Sequence, residues 1–216
     1  MNPSPVRGVA FDWGGVFTVG TFDGRAIARL ARLYGVDEAT LRPHYLALME
    51  VFEVGGFDLP AFADRLSRTI GHEVDAGAFR GAFLDAPRER PAMYELLAGI
   101  PPEYAVAMLS NNVPVLCDRV RDDPRTARIE RFVFSNEIGA RKPDAIAFMA
   151  LAEGMGLAPH EIVFVDDAVG NVEAARTLGF QALLLDSAAA FAARWRAALP
   201  ALAHLADGPG WGAEAP

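Results

Sequence analysis

The chain has 216 residues, 52% of them hydrophobic, and a formal net charge of −8 at pH 7. That length and apolar content supply a core for one domain with a smaller insertion. The acidic balance and the lack of any long basic run exclude a nucleic-acid footprint and an anionic membrane surface. No apolar run approaches the roughly 18 residues of a membrane span, and Met1–Arg7 has neither the apolar core nor the cleavage site of a signal peptide, so a cytoplasmic protein is expected.

In chain order, Val9-Ala10-Phe11 runs straight into Asp12-Trp13-Gly14-Gly15-Val16-Phe17, the pattern of a buried strand ending in a tight turn. In open α/β sheets ligands collect outside the carboxyl ends of the strands, so Asp12 stands where a nucleophile or a metal ligand is useful. Taken alone, an Asp-x-Gly-Gly also reads as a capped turn.

From Asp23 to about Asp85 the apolar residues recur with helical spacing and no convincing strand: Ile27, Leu30 and Tyr34, then Leu41, Tyr45, Met49 and Phe52, then Phe62 and Leu66, then Phe79 and Phe83. Gly35, Pro43, Gly55-Gly56 and Pro60 punctuate these short amphipathic helices. The pattern predicts a helical subdomain over 18–91, linked by Phe17–Thr21 and Pro87–Pro91 to a core made of 1–17 and 92–216. In its loop Glu53–Asp58, the residues Phe52, Glu53 and Phe57 either face the site or, for the aromatics, fill the subdomain's own core.

Beyond this insertion strands and helices alternate. Tyr104–Leu109, Arg131–Ser135, Ile162–Val165 and Gln181–Leu185 read as strands, with helices from Pro114, over Ala145–Glu153 and over Val172–Leu178. With the opening strand these βα units specify an α/β fold: a Rossmann-like parallel sheet with helices on both faces, plus a small all-α cap subdomain. Ser187–Leu205 is expected to be helical, and Gly208–Pro216 frayed. Cys117, the lone cysteine, excludes an internal disulfide and falls at a helical core position. Lys142 is the sole lysine among 20 basic residues, an exception that marks a need for a compact ammonium at that position.

Polar residues gather at the strand ends: Asp12, Ser110-Asn111, Arg141-Lys142-Pro143-Asp144 and Asp166-Asp167. A parallel sheet brings all of them to one edge. Together they comprise a carboxylate nucleophile, a hydroxyl and amides for phosphate oxygens, one ammonium, and an acidic pair able to hold a hard cation. Singly, Ser110-Asn111 reads as a helix cap and Asp166-Asp167 as a favourable charge at a helix start. Two adjacent carboxylates repel, however, and a divalent cation relieves that.

Val9–Val16 with Asp12, Leu109-Ser110-Asn111, Lys142-Pro143-Asp144, and Val163–Asp167 continuing through Asn171-Val-Glu-Ala-Ala175 to Gly179 resemble, in order, the four motifs of the haloacid dehalogenase-like hydrolases. The resemblance covers nearly the whole chain and implies a magnesium-dependent phosphatase of small phosphorylated metabolites, a monomer or homodimer, with the inserted helices as its cap. It implies that Asp12 attacks phosphorus to form an aspartyl-phosphate, that Ser110 and the Asn111 amide hold the phosphoryl group, and that Lys142 neutralises the charge shared with Asp12. It places Mg²⁺ between Asp12, the Gly14 carbonyl and Asp167, with Asp166 in the inner or outer shell and Asn171 orienting the metal's waters.

The chain departs from the phosphatase pattern at Gly14, where most members carry a second aspartate that protonates the leaving group. Loss of a general acid weighs on the order of 10² to 10⁴ in rate. The expectation is therefore a preference for good leaving groups such as sugar 1-phosphates. Two alternatives remain open: a metal-independent 2-haloacid dehalogenase, a type that also lacks the second aspartate but has no acidic pair, and a non-catalytic phosphate-binding module.

Overall fold

The computed structural model describes residues 5–20, 22–85 and 88–211. Strand β1 (Gly8–Phe11) is buried along its whole length and stops at Asp12. Four helices follow: α1 (Phe22–Tyr34), α2 (Glu38–Phe52), α3 (Leu59–Ile70) and α4 (Ala76–Leu84). Asp37, Asp58 and Asp75 start the last three, their carboxylates accepting from the N–H groups of Thr40, Ala61 and Ala78 at 2.7, 2.9 and 2.8 Å. The apolar stripes converge on Phe62, whose ring lies 5.3–6.0 Å from those of Tyr45, Phe52, Phe79 and Phe83. These helices form the cap.

Pro43 does not punctuate the chain as expected; it lies inside α2. Its missing N–H leaves the carbonyl of Ala39 without its helical donor, but both residues are exposed, so that oxygen is open to solvent. The two connections between cap and core run side by side, with the Val19 N–H donating to the Arg88 carbonyl at 2.7 Å and the Arg90 N–H to that of Phe17 at 2.8 Å. Thr21 and Pro87, which belong to the expected linkers, lie outside the described residues, as does Ala86.

The chain then enters a helix absent from the sequence reading, α5 (Pro91–Gly99). Pro91 begins it rather than ending a linker, because a first-turn proline surrenders no hydrogen bond and its φ is already helical. The alternation continues as β2 (Ala105–Ser110), α6 (Pro114–Arg121), β3 (Arg131–Phe134), α7 (Ser135–Ile138), α8 (Ala145–Met155), β4 (Ile162–Asp166), α9 (Val169–Thr177), β5 (Gln181–Leu184) and α10 (Ala188–Ala198). The expected C-terminal helix stops early, before Pro200, and 3₁₀ turns carry the chain over Pro200–Ala206. The stretch from Gly208 is not frayed as far as Trp211, which is buried with its ring 5.2 Å from Phe191. Residues 212–216 lie outside the described set.

All neighbouring strands are parallel, in the order β3-β2-β1-β4-β5. Val9 and Phe11 of β1 and Val163 and Val165 of β4 face one core layer with Met93, Leu97, Phe191 and Trp195. Ala10 and Phe164 face the other, with Phe148 and Leu151 of α8 and Val172 of α9. The strand order reverses at β1, whose neighbours β2 and β4 lead away in opposite directions. A crevice opens at such a switch point, and Asp12 is the first residue beyond the strand there. No helix among the described residues is long and apolar enough to cross a membrane.

Candidate active site

The turn after β1 is built to bring two carboxylates together. The Phe17 N–H returns to the Trp13 carbonyl at 2.8 Å, and the Gly15 N–H donates to Thr18 Oγ1 at 2.9 Å. Gly15 takes a φ of 75°, and a Cβ built there would lie 1.9 Å from Asp167 Oδ2, so glycine at 15 is what lets Asp167 approach. Gly14 is different: a Cβ there meets nothing within 4 Å. Arg90 fixes the turn from the returning connection, donating to the carbonyls of Val16 at 3.1 Å and Gly15 at 3.5 Å. Nothing in the sequence signalled that role, since Arg90 falls in a stretch read as linker.

Lys142 is the hub. Its buried Nζ lies 3.0 Å from Asp12 Oδ1 and 2.6 Å from Asp166 Oδ2. Its backbone is clamped by the Asn111 side chain, which donates to the Lys142 carbonyl at 2.9 Å and accepts from its N–H at 2.8 Å. Asp166, at 0% exposure, also accepts from the Ala168 N–H at 2.8 Å and from Asn171 Nδ2 at 3.1 Å to each oxygen. Lys142, Asn171 and a backbone amide therefore meet much of the charge of Asp166, while the repulsion between Asp166 and Asp167 remains for a divalent cation to relieve. Asp12 uses Oδ1 for the Trp13 N–H (2.7 Å) as well as for Lys142, and Oδ2 has no hydrogen-bond partner in the described protein.

These placements move proton affinities. Burial pushes the Asp12 carboxyl up to about 7, against the pull of Lys142 and with the repulsion of Asp166 and Asp167. Burial and then Asp166 raise Asp167. Burial disfavours the Lys142 ammonium, but Asp12 and Asp166 together outweigh it and hold its pKa above the ordinary value. Carboxylate oxygens of Asp12, Asp166 and Asp167 lie within 4.8 Å of one another. Such a set of hard, mutually repelling oxygen donors fits a hard divalent cation.

A cavity of about 160 Å³ opens on the pair; Asp12, Gly14 and Asp167 at the strand ends form what we call its inner side, and Asp23 and Glu53 of the cap, with Arg141 paired to Glu53, its outer side. Of the expected site residues Asn111 also lines it, whereas Ser110 is buried at the end of β2 and, like Lys142, Asp166 and Asn171, is not among the lining residues. Phe52 and Phe57 stack on each other at 5.6 Å inside the cap and do not line the cavity; Glu53 does. Burial pushes Glu53 up to about 7, opposed by Arg141 and reinforced by Asp23 and Asp12. Cys117 is buried beside Asn136, its thiol pushed up to about 12 by burial, as fits a core residue rather than a nucleophile.

A family model described as haloacid dehalogenase-like hydrolase matches residues 6–179. The chain belongs to the haloacid dehalogenase-like hydrolases. Among curated relatives it is similar to the D-ribitol-5-phosphate phosphatase of Bacteroides thetaiotaomicron, at 24% identity over 187 residues covering 82% of this chain and 90% of that protein. Among solved structures it resembles an enzyme of this family from the same bacterium in complex with magnesium and inorganic phosphate, at 21% identity and a TM-score of 0.70 over 83% of this chain and 93% of the other. It also resembles the L-2-haloacid dehalogenase of Xanthobacter autotrophicus, at 18% identity and a TM-score of 0.63 over 85% of this chain and 78% of that one. Phosphatase and dehalogenase thus share this hydrolase's fold, and its own residues must distinguish them.

Proposed function

We propose that this hydrolase is a magnesium-dependent phosphatase of small phosphorylated metabolites, with residues 18–91 as its cap and 1–17 and 92–216 as its core. The observation that carries the reading is the acid cluster: Asp12 shares Lys142 with Asp166 while Asp167 stands beside it. A dehalogenase that works without metal has no use for Asp167 at that point. The phosphatase relative, and the related structure holding magnesium and phosphate, agree with this assignment.

In the proposed reaction a carboxylate oxygen of Asp12 attacks phosphorus, and the bond from phosphorus to the leaving-group oxygen breaks with its electron pair on that oxygen. Water then attacks the phosphorus of the aspartyl-phosphate, releasing inorganic phosphate and restoring Asp12. Lys142 favours the ionised form of Asp12 against the opposing effect of burial and faces the charge gathering on the phosphoryl oxygens, which Ser110 and the Asn111 N–H bind. The Asn111 side chain adds a positioning role by clamping Lys142. Asp12, Asp167 and the Gly14 carbonyl would hold Mg²⁺, with Asp166 and Asn171 outside them, because Asp166 is already committed to Lys142 and Asn171. Bound there, the cation supplies charge neutralisation for a dianionic substrate.

Gly14 offers no proton to the leaving group, so the rate should depend steeply on leaving-group acidity. Phosphate release with magnesium across acyl, anomeric sugar, aryl and primary alkyl phosphates tests this. The relative's ribitol 5-phosphate marks the alkyl end. The account expects faster turnover toward the acidic end and loss of turnover with chelator. A flat series with chemistry rate-limiting removes the leaving-group claim, chelator-resistant halide release from 2-haloacids replaces the phosphatase with a dehalogenase, and binding without turnover leaves a phosphate-binding module.

A further inference from the structure

The buried side-chain atoms that lack a hydrogen-bond partner among the described residues are Glu53 Oε2, Arg141 Nε and Asn112 Nδ2. All three residues line the cavity that opens on Asp12. Buried polar groups are rarely left in that state, because each has given up water for nothing. That all three border one cavity points to a missing ligand there rather than to scattered imperfections.

The three arrive from different parts of the chain. Glu53 caps the C-terminal end of α2 and is 6% exposed, its Oε2 lying 3.0 Å from Arg141 Nη2 as an ion pair without hydrogen-bond alignment. Arg141 directly precedes Lys142. Asn112 follows the β2 strand end, 3% exposed, with its N–H on Ser135 and its Oδ1 taken by the Val113 N–H at 2.9 Å, so that only the Nδ2 donor is left over. Asp23 lines the same cavity, its Oδ1 accepting from the Tyr45 hydroxyl at 3.0 Å.

We infer that Glu53, Arg141 and Asn112 form a subsite that reads the hydroxyls of a neutral, polyhydroxylated leaving group, a sugar or an alditol, with Glu53 as the residue that determines this specificity. The inference rests on the phosphatase reading and narrows its substrate class. A hydroxyl donates and accepts at once, and an acceptor from Glu53 beside donors from Arg141 and Asn112 is the set that satisfies one or two of them. A leaving group with its own carboxylate or second phosphate only accepts, and would be set against Glu53 and Asp23. An alkyl or aryl group would leave all three polar atoms unpaired.

The test compares kcat/KM for D-ribitol 5-phosphate and n-pentyl phosphate, two primary alkyl esters that differ chiefly in their hydroxyls; the slightly better departing oxygen of the polyol ester is common to wild type and variants and cancels when their ratios are compared. The wild-type chain should prefer the polyol ester by about 10- to 100-fold, the scale of hydrogen bonds to charged groups. Glu53→Gln, a near-isosteric change, should shrink that ratio at least several-fold, carried mainly by KM for the polyol ester. A purely structural role would lower both substrates together and leave the ratio intact. Arg141→Met serves as the second variant, with the same expectation for the ratio, should Glu53→Gln lower the melting midpoint.

No wild-type preference, an unchanged ratio in both variants, or a preference for 3-phosphoglycerate over the polyol ester would overturn the inference. If p-nitrophenyl phosphate is turned over and neither alkyl ester is, the phosphatase reading stands, and the two esters' inhibition constants against it decide the subsite by the same ratio. If no phosphate is turned over, the phosphatase reading fails on its own, and calorimetric affinities of the wild type and Glu53→Gln for the two esters decide.

Discussion

The inner and outer sides of the cavity handle buried charge in opposite ways. Behind the inner side, off the cavity lining, Lys142 sits between Asp12 and Asp166, and Asp166 has further donors from Asn171 and the Ala168 N–H. On the outer side, Glu53, Arg141 and Asn112 each retain a buried atom without a hydrogen-bond partner. The inner side is a preorganised array, rigid because its partners are protein groups. The outer side is incomplete without something else. A site whose chemistry is constant and whose substrate is selected has this division, and it leads to effects of different size on the two sides.

The largest effect belongs to the inner side. Asp12→Asn keeps the size of the side chain and removes the nucleophile, so phosphate release should fall by about 10⁴-fold or more, as read by a steady-state assay with magnesium. A comparable fall on the outer side alone would erase the distinction. Next comes the turn. Gly15→Ala adds a Cβ 1.9 Å from Asp167 Oδ2 at a φ of 75°, and displacing that carboxylate should cost about 10²-fold in kcat/KM. Gly14→Ala, at a position with 4 Å of open space around the new atom, should change the melting midpoint little. Equal loss of stability in the two variants would contradict the assigned geometry.

Gly14→Asp uses the same open space to supply a proton donor. It should raise kcat on primary alkyl phosphates by about 10-fold while leaving acyl phosphates nearly unchanged, a fraction of what a fully placed general acid delivers. An equal gain on both would show that leaving-group protonation is not what Gly14 lacks.

The smallest effect is on stability. Glu53 and Asp12 both titrate near 7 in the folded chain, above their ordinary 4.5 and 3.8. Between about pH 4 and pH 7 the folded state thus binds more protons than the unfolded one, and stability falls as pH rises through that window. With chelator present, urea midpoints should drop across it. Glu53→Gln should flatten the drop, by up to about 3 kcal/mol at its upper end. An unchanged slope would mean that Glu53 is ionised throughout.

Much of the inner side was legible in the sequence, because each of its parts is local: an apolar strand that stops at a polar residue, repeated along the chain. Asp12 and Asp167 are visible that way, and Lys142 stands out as the sole lysine of the chain. Even there the partners were not, since nothing in the local pattern showed that Lys142, 24 positions before Asp166, pairs with it as well as with Asp12. Asn111 looked like a phosphate holder and its side chain turned out to clamp Lys142. The outer side was legible only in part: the Glu53–Asp58 loop marked Glu53 as a residue that could face the site, as it does, but Arg141 lies 88 positions away and no local pattern pairs the two. Pro91 and Pro43 misled for a common reason. A proline breaks a helix only where it removes a needed hydrogen bond, and neither the first turn of α5 nor the exposed face of α2 needed one.

The most direct test of the central claim is to mix the enzyme with magnesium and acetyl phosphate, quench in acid within the first turnovers, and locate any phosphoryl adduct by mass spectrometry. The account predicts an adduct on Asp12 that is absent with chelator and absent in Asp12→Asn. Steady turnover with the adduct on another residue, or turnover that survives in Asp12→Asn, would contradict it.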